Sequence, residues 1–360
     1  MFSCMDSSSR IIILKPTEEQ MESAMIDPNL PLIDLHRHLD GSIRLETILD
    51  LGRQHNLNLP AWDIEGIRPY VQVVQPQPGV MAFIAKFEWM VGVLVDYAAC
   101  GRVAYENVVD AKDEGLDYVE LRFSPWFMAE PHGLDPGGVV EAVIDGVRSA
   151  RQDKDMKVNL IGIISRTYGP DNAREELNSL LHFRDDFVAL DLAGDEANFP
   201  GDLFVDHMGR AMEAGWQVTI HAGESAGPES IWQAINELGA KRIGHAVRAV
   251  DDVDLMKFMV EKGIGIEANL TSNVQTSTVP DYASHPLRRF LELGLLGTIN
   301  TDDPGISGID LPYEYEVAAP GAGLTKEQIQ QAQRNALEVA FLSEREKMDL
   351  ANQVKGASQE

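Results

Sequence analysis

Residues 31–38 read Pro31-Leu32-Ile33-Asp34-Leu35-His36-Arg37-His38. The stretch Pro31–His36 (PLIDLH) is a near-continuous apolar run, without the strict alternation of a half-exposed strand. That pattern belongs to a strand covered on both faces, as in parallel sheets. The residues just after the run separate the two large architectures built from such strands. A doubly wound open sheet that binds a nucleotide carries a glycine-rich loop after its first strand, whereas this chain places His36-Arg37-His38 there. Comparable runs occur at Leu116–Ser124, Val158–Ser165, Phe187–Ala193, Trp216–His221, Lys241–Ala246, Gly263–Ala268 and Leu295–Asn300. Helical stretches of fitting length lie between them, for example Gly138–Arg151 and Ser230–Leu238. Eight strand-helix units predict a single (β/α)₈ TIM-type barrel.

The connection from about residue 42 to about 115 is far longer than one crossover helix requires. It carries helical patterns at Arg44–His55 and Gly79–Lys112, so extra helices are expected to cover the barrel mouth as a lid. No low-complexity linker or internal repeat divides the chain. The expected organisation is an N-terminal extension over residues 1–28, with little order, followed by one domain over residues 29–360.

The 360 residues are 44% hydrophobic and 24% charged, a globular composition. Lys plus Arg number 30 against 57 Asp plus Glu, a formal charge of -27. Such a surface repels nucleic acid and acidic membranes, which leaves a small or cationic partner. Only Cys4 and Cys100 are present, too few for a disulfide framework or a Cys₄ zinc site. No apolar run approaches the roughly 20 residues that span a bilayer, and Ile11–Leu14 is too short for a signal-peptide core. The expected location is cytoplasmic.

Of the nine histidines, His36, His38, His221 and His245 fall at or just after the C-terminal ends of predicted strands, the active-site face of a barrel. His55, His132, His182, His207 and His285 share no pattern and read as structural or solvated. In an extended backbone, side chains two apart point the same way, so His36 and His38 form a two-toothed metal clamp. His221 and the pair Asp302-Asp303 stand at the ends of the fifth and eighth strands. Three imidazoles with a carboxylate suit a catalytic Zn²⁺.

Glu224, three residues after His221, is a proton-transfer candidate. Its plainer alternative is an acidic residue at a helix N-terminus. His245 is placed to orient or polarise a water, or is simply a buried structural histidine. Asp302-Asp303-Pro304 also reads as turn chemistry, as does Asp40-Gly41. Gly194, after the fourth strand, lets a flat ligand approach the backbone closely.

Seven ordered stretches together resemble the adenosine deaminase family, most closely its bacterial members: PLIDLHRHLDG (Pro31–Gly41), YVELRFSP (Tyr118–Pro125), LDLAGDE (Leu190–Glu196), HAGE (His221–Glu224), RIGH (Arg242–His245), LTSN (Leu270–Asn273) and NTDDP (Asn300–Pro304). They span about residues 30 to 345. The one local departure is the alanine after His245, outside the chemistry. The resemblance implies that His36, His38, His221 and Asp302 bind one Zn²⁺ per chain, with His38 also facing the substrate. It implies further that Glu224 protonates the purine ring, His245 assists the attacking water, Gly194 and Asp303 contact the purine, and Asp40 contacts the ribose from the pocket rim. The implied reaction is hydrolytic deamination of adenosine and 2′-deoxyadenosine in purine salvage.

Two-metal relatives bridge their ions with a modified lysine at the end of the fourth strand; LDLAGDE has no lysine, which favours one metal. Free adenine offers Asp40 no hydroxyl, which favours a nucleoside. A non-catalytic nucleoside-binding barrel would be expected to have lost Glu224 or a metal ligand, yet every role is filled.

Overall fold

The computed structural model describes residues 24–357. Eight strands, β1 (Ile33–His38), β2 (Tyr118–Phe123), β3 (Lys157–Ser165), β4 (Phe187–Ala193), β5 (Gln217–Ala222), β6 (Arg242–His245), β7 (Gly265–Ala268) and β8 (Leu296–Ile299), pair in sequence order. Each pairing is parallel. The ring closes just past β8, where Asp302 N–H donates to the His36 carbonyl at 2.8 Å and His38 N–H donates to the Asp302 carbonyl at 2.7 Å. The barrel read from the eight apolar runs is therefore the fold.

β1 runs two residues beyond the apolar stretch, because Arg37 and His38 keep pairing with Leu121 and Arg122. An extra residue between Asp34 and Arg37 shifts the register there, and such a bulge re-aims the side chains beyond it.

The barrel interior is more polar than the apolar runs suggest. Arg122 bridges Asp191 and Glu267, each at 2.9 Å, and Arg242 pairs with Glu267 at 2.6 Å and with Glu120. All five side chains are fully buried. Buried charges persist only when paired and hydrogen-bonded, so these form one continuous network beneath the strand ends.

The β1–β2 connection holds helices at Leu45–Gln54, Ile64–Val71, Val80–Ile84, Glu88–Val91 and Tyr97–Asp113. The expected continuous helical pattern over 79–112 breaks before Asp96, whose side chain accepts from Ala99 N–H at 2.8 Å and so starts a new helix. The helix at Ile64–Val71, begun by an Asp63 cap at 2.9 Å, lies outside the expected patterns. Val80, Phe83, Ile84 and Phe87 overhang the barrel mouth and line the cavity there, so this part of the connection is the covering element.

Residues 1–23 of the expected extension lie outside the described residues, as does Cys4. Next to them, Met25 N–H donates to Glu316 at 3.2 Å and Asp27 N–H to Gln333 at 3.0 Å. Among the described residues, no helix is long and apolar enough to cross a membrane.

Candidate active site

His36 and His38 at the end of β1, His221 on β5 and Asp302 after β8 converge on one point. The three Nε2 atoms stand 3.1–3.2 Å apart, and Asp302 Oδ1 lies 3.1 Å from His36 Nε2 and 3.3 Å from His38 Nε2. A tetrahedron with metal–ligand bonds of about 2.0–2.1 Å has edges of about 3.3 Å. The protons of two of these rings are accounted for elsewhere. His36 Nδ1 faces Glu267 at 2.7 Å, and His221 Nδ1 faces Asp191 at 3.0 Å.

Burial opposes ionisation of both carboxylates, but Arg122 and Arg242 keep Glu267, and His221 and Arg122 keep Asp191, below the usual carboxylate range. Each is thus an acceptor that fixes the proton on Nδ1 and turns a bare Nε2 lone pair inward. Lone pairs converging at this spacing need a cation between them, so the donor set fits a metal ion.

Backbone strain marks the same place. Six non-glycine residues among those described have positive φ, and three are His245 (63°), Ala246 (54°) and Asp302 (64°). Each left-handed residue costs roughly 1–2 kcal/mol, and the hydrogen bonds that close the barrel hold Asp302 there. Ala246 is the residue at which the sequence pattern departs, so a Cβ stands where glycine would be relaxed.

Glu224 lies beyond β5 with its carboxyl 3.6 Å from His245 Nδ1, and both line the cavity. It is not a helix-terminal residue, because the next helix, Pro228–Asn236, has its N-cap at Gly227. Its loop is gripped from below: Glu196 accepts from the backbone N–H groups of Gly223 (2.6 Å), Glu224 (3.2 Å), Ser225 (2.8 Å) and Ala226 (3.0 Å). Burial, then the nearby carboxylates of Asp302 and Glu196, push the Glu224 carboxyl well above its ordinary range. Burial thus favours its protonated form.

Asp303 is likewise pushed well up, by burial and by Asp302, Asp40 and Glu224. Its Oδ1 is buried with no partner. A Cβ on Gly41 would stand 1.8 Å from that same atom, so Gly41 does more than turn the chain: its missing side chain is the room Asp303 occupies.

Asp40 departs from the expected rim position. It is 2% exposed, and burial raises its carboxyl to about 7. Oδ2 accepts from Ser124 N–H at 3.2 Å while Oδ1 is unpartnered. Gly194 sits in the cavity wall with φ 104°, but a Cβ there would meet Thr167 Oγ1 at 2.4 Å. The glycine is thus needed for the turn and for the Thr167 hydroxyl as well as for any ligand's approach.

Glu267, Asp191, Glu196, Asn273 and His285 all support the site, yet local sequence patterns assign them no role. Asp191 and Glu267 had a visible signal, since each is an acidic residue inside a buried apolar run. His285, read as structural or solvated, is 3% exposed and hydrogen-bonded to Asn273.

A closed parallel barrel bearing three histidines and an aspartate at its C-terminal strand ends defines a metal-dependent hydrolase of the amidohydrolase type. The chain matches the family model described as Adenosine deaminase over residues 31–357. Adenosine deaminase of Yersinia enterocolitica serotype O:8 is 58% identical over 331 residues, 92% of this chain and all of that protein. Adenosine deaminase of Escherichia coli O6:K15:H31 is 58% identical over 330 residues, covering 92% and 99% of the two chains. Among solved structures, N6-methyl-AMP deaminase from Arabidopsis thaliana superposes with a TM-score of 0.78 at 27% identity over 92% of this chain and 98% of that one. Adenine deaminase from Arthrobacter aurescens, at 24% identity and a TM-score of 0.85 over 92% and 100% of the two chains, shares the fold. The chain belongs to the adenosine deaminase family.

Proposed function

We propose that this protein hydrolyses adenosine and 2′-deoxyadenosine to inosine and 2′-deoxyinosine with release of ammonia, in cytoplasmic purine salvage, using one zinc ion per chain held in a barrel domain spanning residues 29–360. The observation that carries the reading is the 58% identity to proteins named adenosine deaminase across 92% of the chain.

The donor set of three imidazoles and one carboxylate suits zinc. Bound there, zinc supplies the Lewis acidity that makes water nucleophilic near neutral pH. The chain supplies the rest. Carbon 6 of the electron-rich purine is a poor electrophile until the adjacent ring nitrogen is protonated, and Glu224, held protonated by burial, donates that proton. Asp303, also protonated, donates a hydrogen bond through its unpartnered carboxyl to N7, with Gly194 beside the ring. Asp40 takes a ribose hydroxyl on its free Oδ1. The apolar side chains of Val80, Phe83, Ile84 and Phe87 close over the sugar and exclude water. Loss of adenosine ultraviolet absorbance with purified protein, and no loss with adenine, tests the assignment. No turnover of adenosine by metal-loaded protein would end it.

Asp302→Ala and Asp303→Ala should separate. Unmodified protein is expected to carry one equivalent of zinc. Asp302→Ala should lose it on dialysis, whereas Asp303→Ala should keep it and lose at least ~10-fold in kcat/KM through poorer purine positioning. Metal analysis paired with the rate decides, and equal zinc loss from both variants would contradict this division of roles.

A further inference from the structure

On the side away from the metal ligands, His245 meets two buried amides. Asn273 Nδ2 lies 3.0 Å and Asn269 Nδ2 3.4 Å from His245 Nδ1. Behind Asn273, its Oδ1 lies 3.1 Å from His285 Nε2, and the backbone N–H of Leu287 lies 3.1 Å from His285 Nδ1. His245, Asn269, Asn273 and His285 are all buried, so water does not scramble the pattern.

The last link sets the direction of the whole chain. A backbone N–H only donates, so His285 Nδ1 is an acceptor and the ring proton is on Nε2. That proton must meet an oxygen, which places Asn273 Oδ1 toward His285 and Asn273 Nδ2 toward His245. Reversing the amide would set an N–H against an N–H at His285 Nε2 and leave a buried acceptor facing His245. His245 Nδ1 therefore accepts, from Asn273 and from Asn269, and carries no proton. Glu224, at 3.6 Å from the same nitrogen, is beyond hydrogen-bond reach.

We infer that Asn273 and His285 are positioning residues that lock His245 as its Nε2–H tautomer, so that His245 donates a hydrogen bond to the attacking water and does not act as its base. The Nε2 faces Asp302 Oδ2 at 3.9 Å, too long for a direct bond and a span that one water oxygen bridges. The donor fixes the position of that oxygen relative to carbon 6. His245 keeps its proton throughout, so the proton that the water gives up would go to solvent before attack, under the acidity that bound zinc would supply. The inference about the water rests on the deaminase reading. The tautomer itself does not.

The test uses the ¹⁵N-labelled, zinc-loaded full chain, with the His245 signals assigned by their absence in His245→Asn. The expected spectrum has His245 Nδ1 in the unprotonated range and Nε2 in the protonated range. A proton on Nδ1 overturns the inference, and no substrate enters that measurement, so its failure is separate from failure of the deaminase reading. Asn273→Asp provides the functional arm. The carboxylate still accepts from His285 but now also accepts from His245 Nδ1, so the single proton of the neutral ring moves from Nε2 to Nδ1. At unchanged zinc content, kcat for adenosine should fall at least ~10-fold with KM within about threefold. Undiminished kcat overturns the inference, and if the variant does not fold, the native spectrum still decides.

Discussion

Glu224→Gln should retain zinc and fold while kcat for adenosine falls at least ~10²-fold, the usual scale for loss of a general acid. Glutamine is nearly isosteric, and the Glu196 carboxylate that grips the loop does so through backbone N–H groups, so the loop has no reason to move. What is lost is the proton. Burial and the neighbouring carboxylates hold Glu224 well above the ordinary range, so folding favours the acid form. It gives way only as the pH rises through that raised value, so the donor fails on the alkaline side. KM should change little, because an amide still donates a hydrogen bond to the ring nitrogen in the ground state. Steady-state rates with zinc analysis and a melting curve on the same sample make the comparison. Near-normal turnover with zinc bound would remove Glu224 from the chemistry.

The second large effect concerns the 5′ end of the substrate. AMP should be turned over with kcat/KM at least ~10²-fold below adenosine, because its phosphate brings about -1.5 to -2 charges into a cavity whose lining, among the described residues, contains no lysine or arginine. The apolar overhang of Val80, Phe83, Ile84 and Phe87 gives that charge no compensating donors, and stripping water from it is costly.

Asp40 contributes a pH-dependent share. At ~4 Å and an effective dielectric of ~20, two unit like charges cost about 4 kcal/mol. With its carboxyl raised to about 7, however, Asp40 is only about half charged at neutral pH. Its repulsion grows from pH 6 to pH 8. Asp40→Asn should therefore narrow the AMP handicap more at pH 8 than at pH 6, without abolishing it. Parallel kcat/KM values for both substrates in both proteins across that range decide the point. Efficient AMP turnover by the unmodified enzyme would overturn the nucleoside assignment.

Much of the architecture is legible in the chain alone. Apolar runs followed by helices define the barrel because parallel strands are buried on both faces, and that requirement is written into each run locally. The H-x-H clamp, His221, Asp302, Glu224 and His245 can be placed at strand ends from those runs alone. What a run does not encode is which residue on a distant strand stands opposite. Asp191 and Glu267 look like interruptions in apolar stretches until the barrel sets them against His221 Nδ1 and His36 Nδ1.

The sequence by itself determined the barrel and placed the four metal-ligand candidates and the proton-transfer candidate at strand ends, because each depends on local periodicity or on residue type at a strand end. Only the tertiary structure decided the protonation and direction of the groups. Burial raised the Glu224 and Asp303 carboxyls and placed Asp40 in the wall instead of at the rim. The N–H of Leu287, acting through His285 and Asn273, set the tautomer of His245. Desolvation and hydrogen-bond direction depend on everything surrounding a group, and those surroundings are assembled from residues as far apart as 36 and 267, which no local pattern relates.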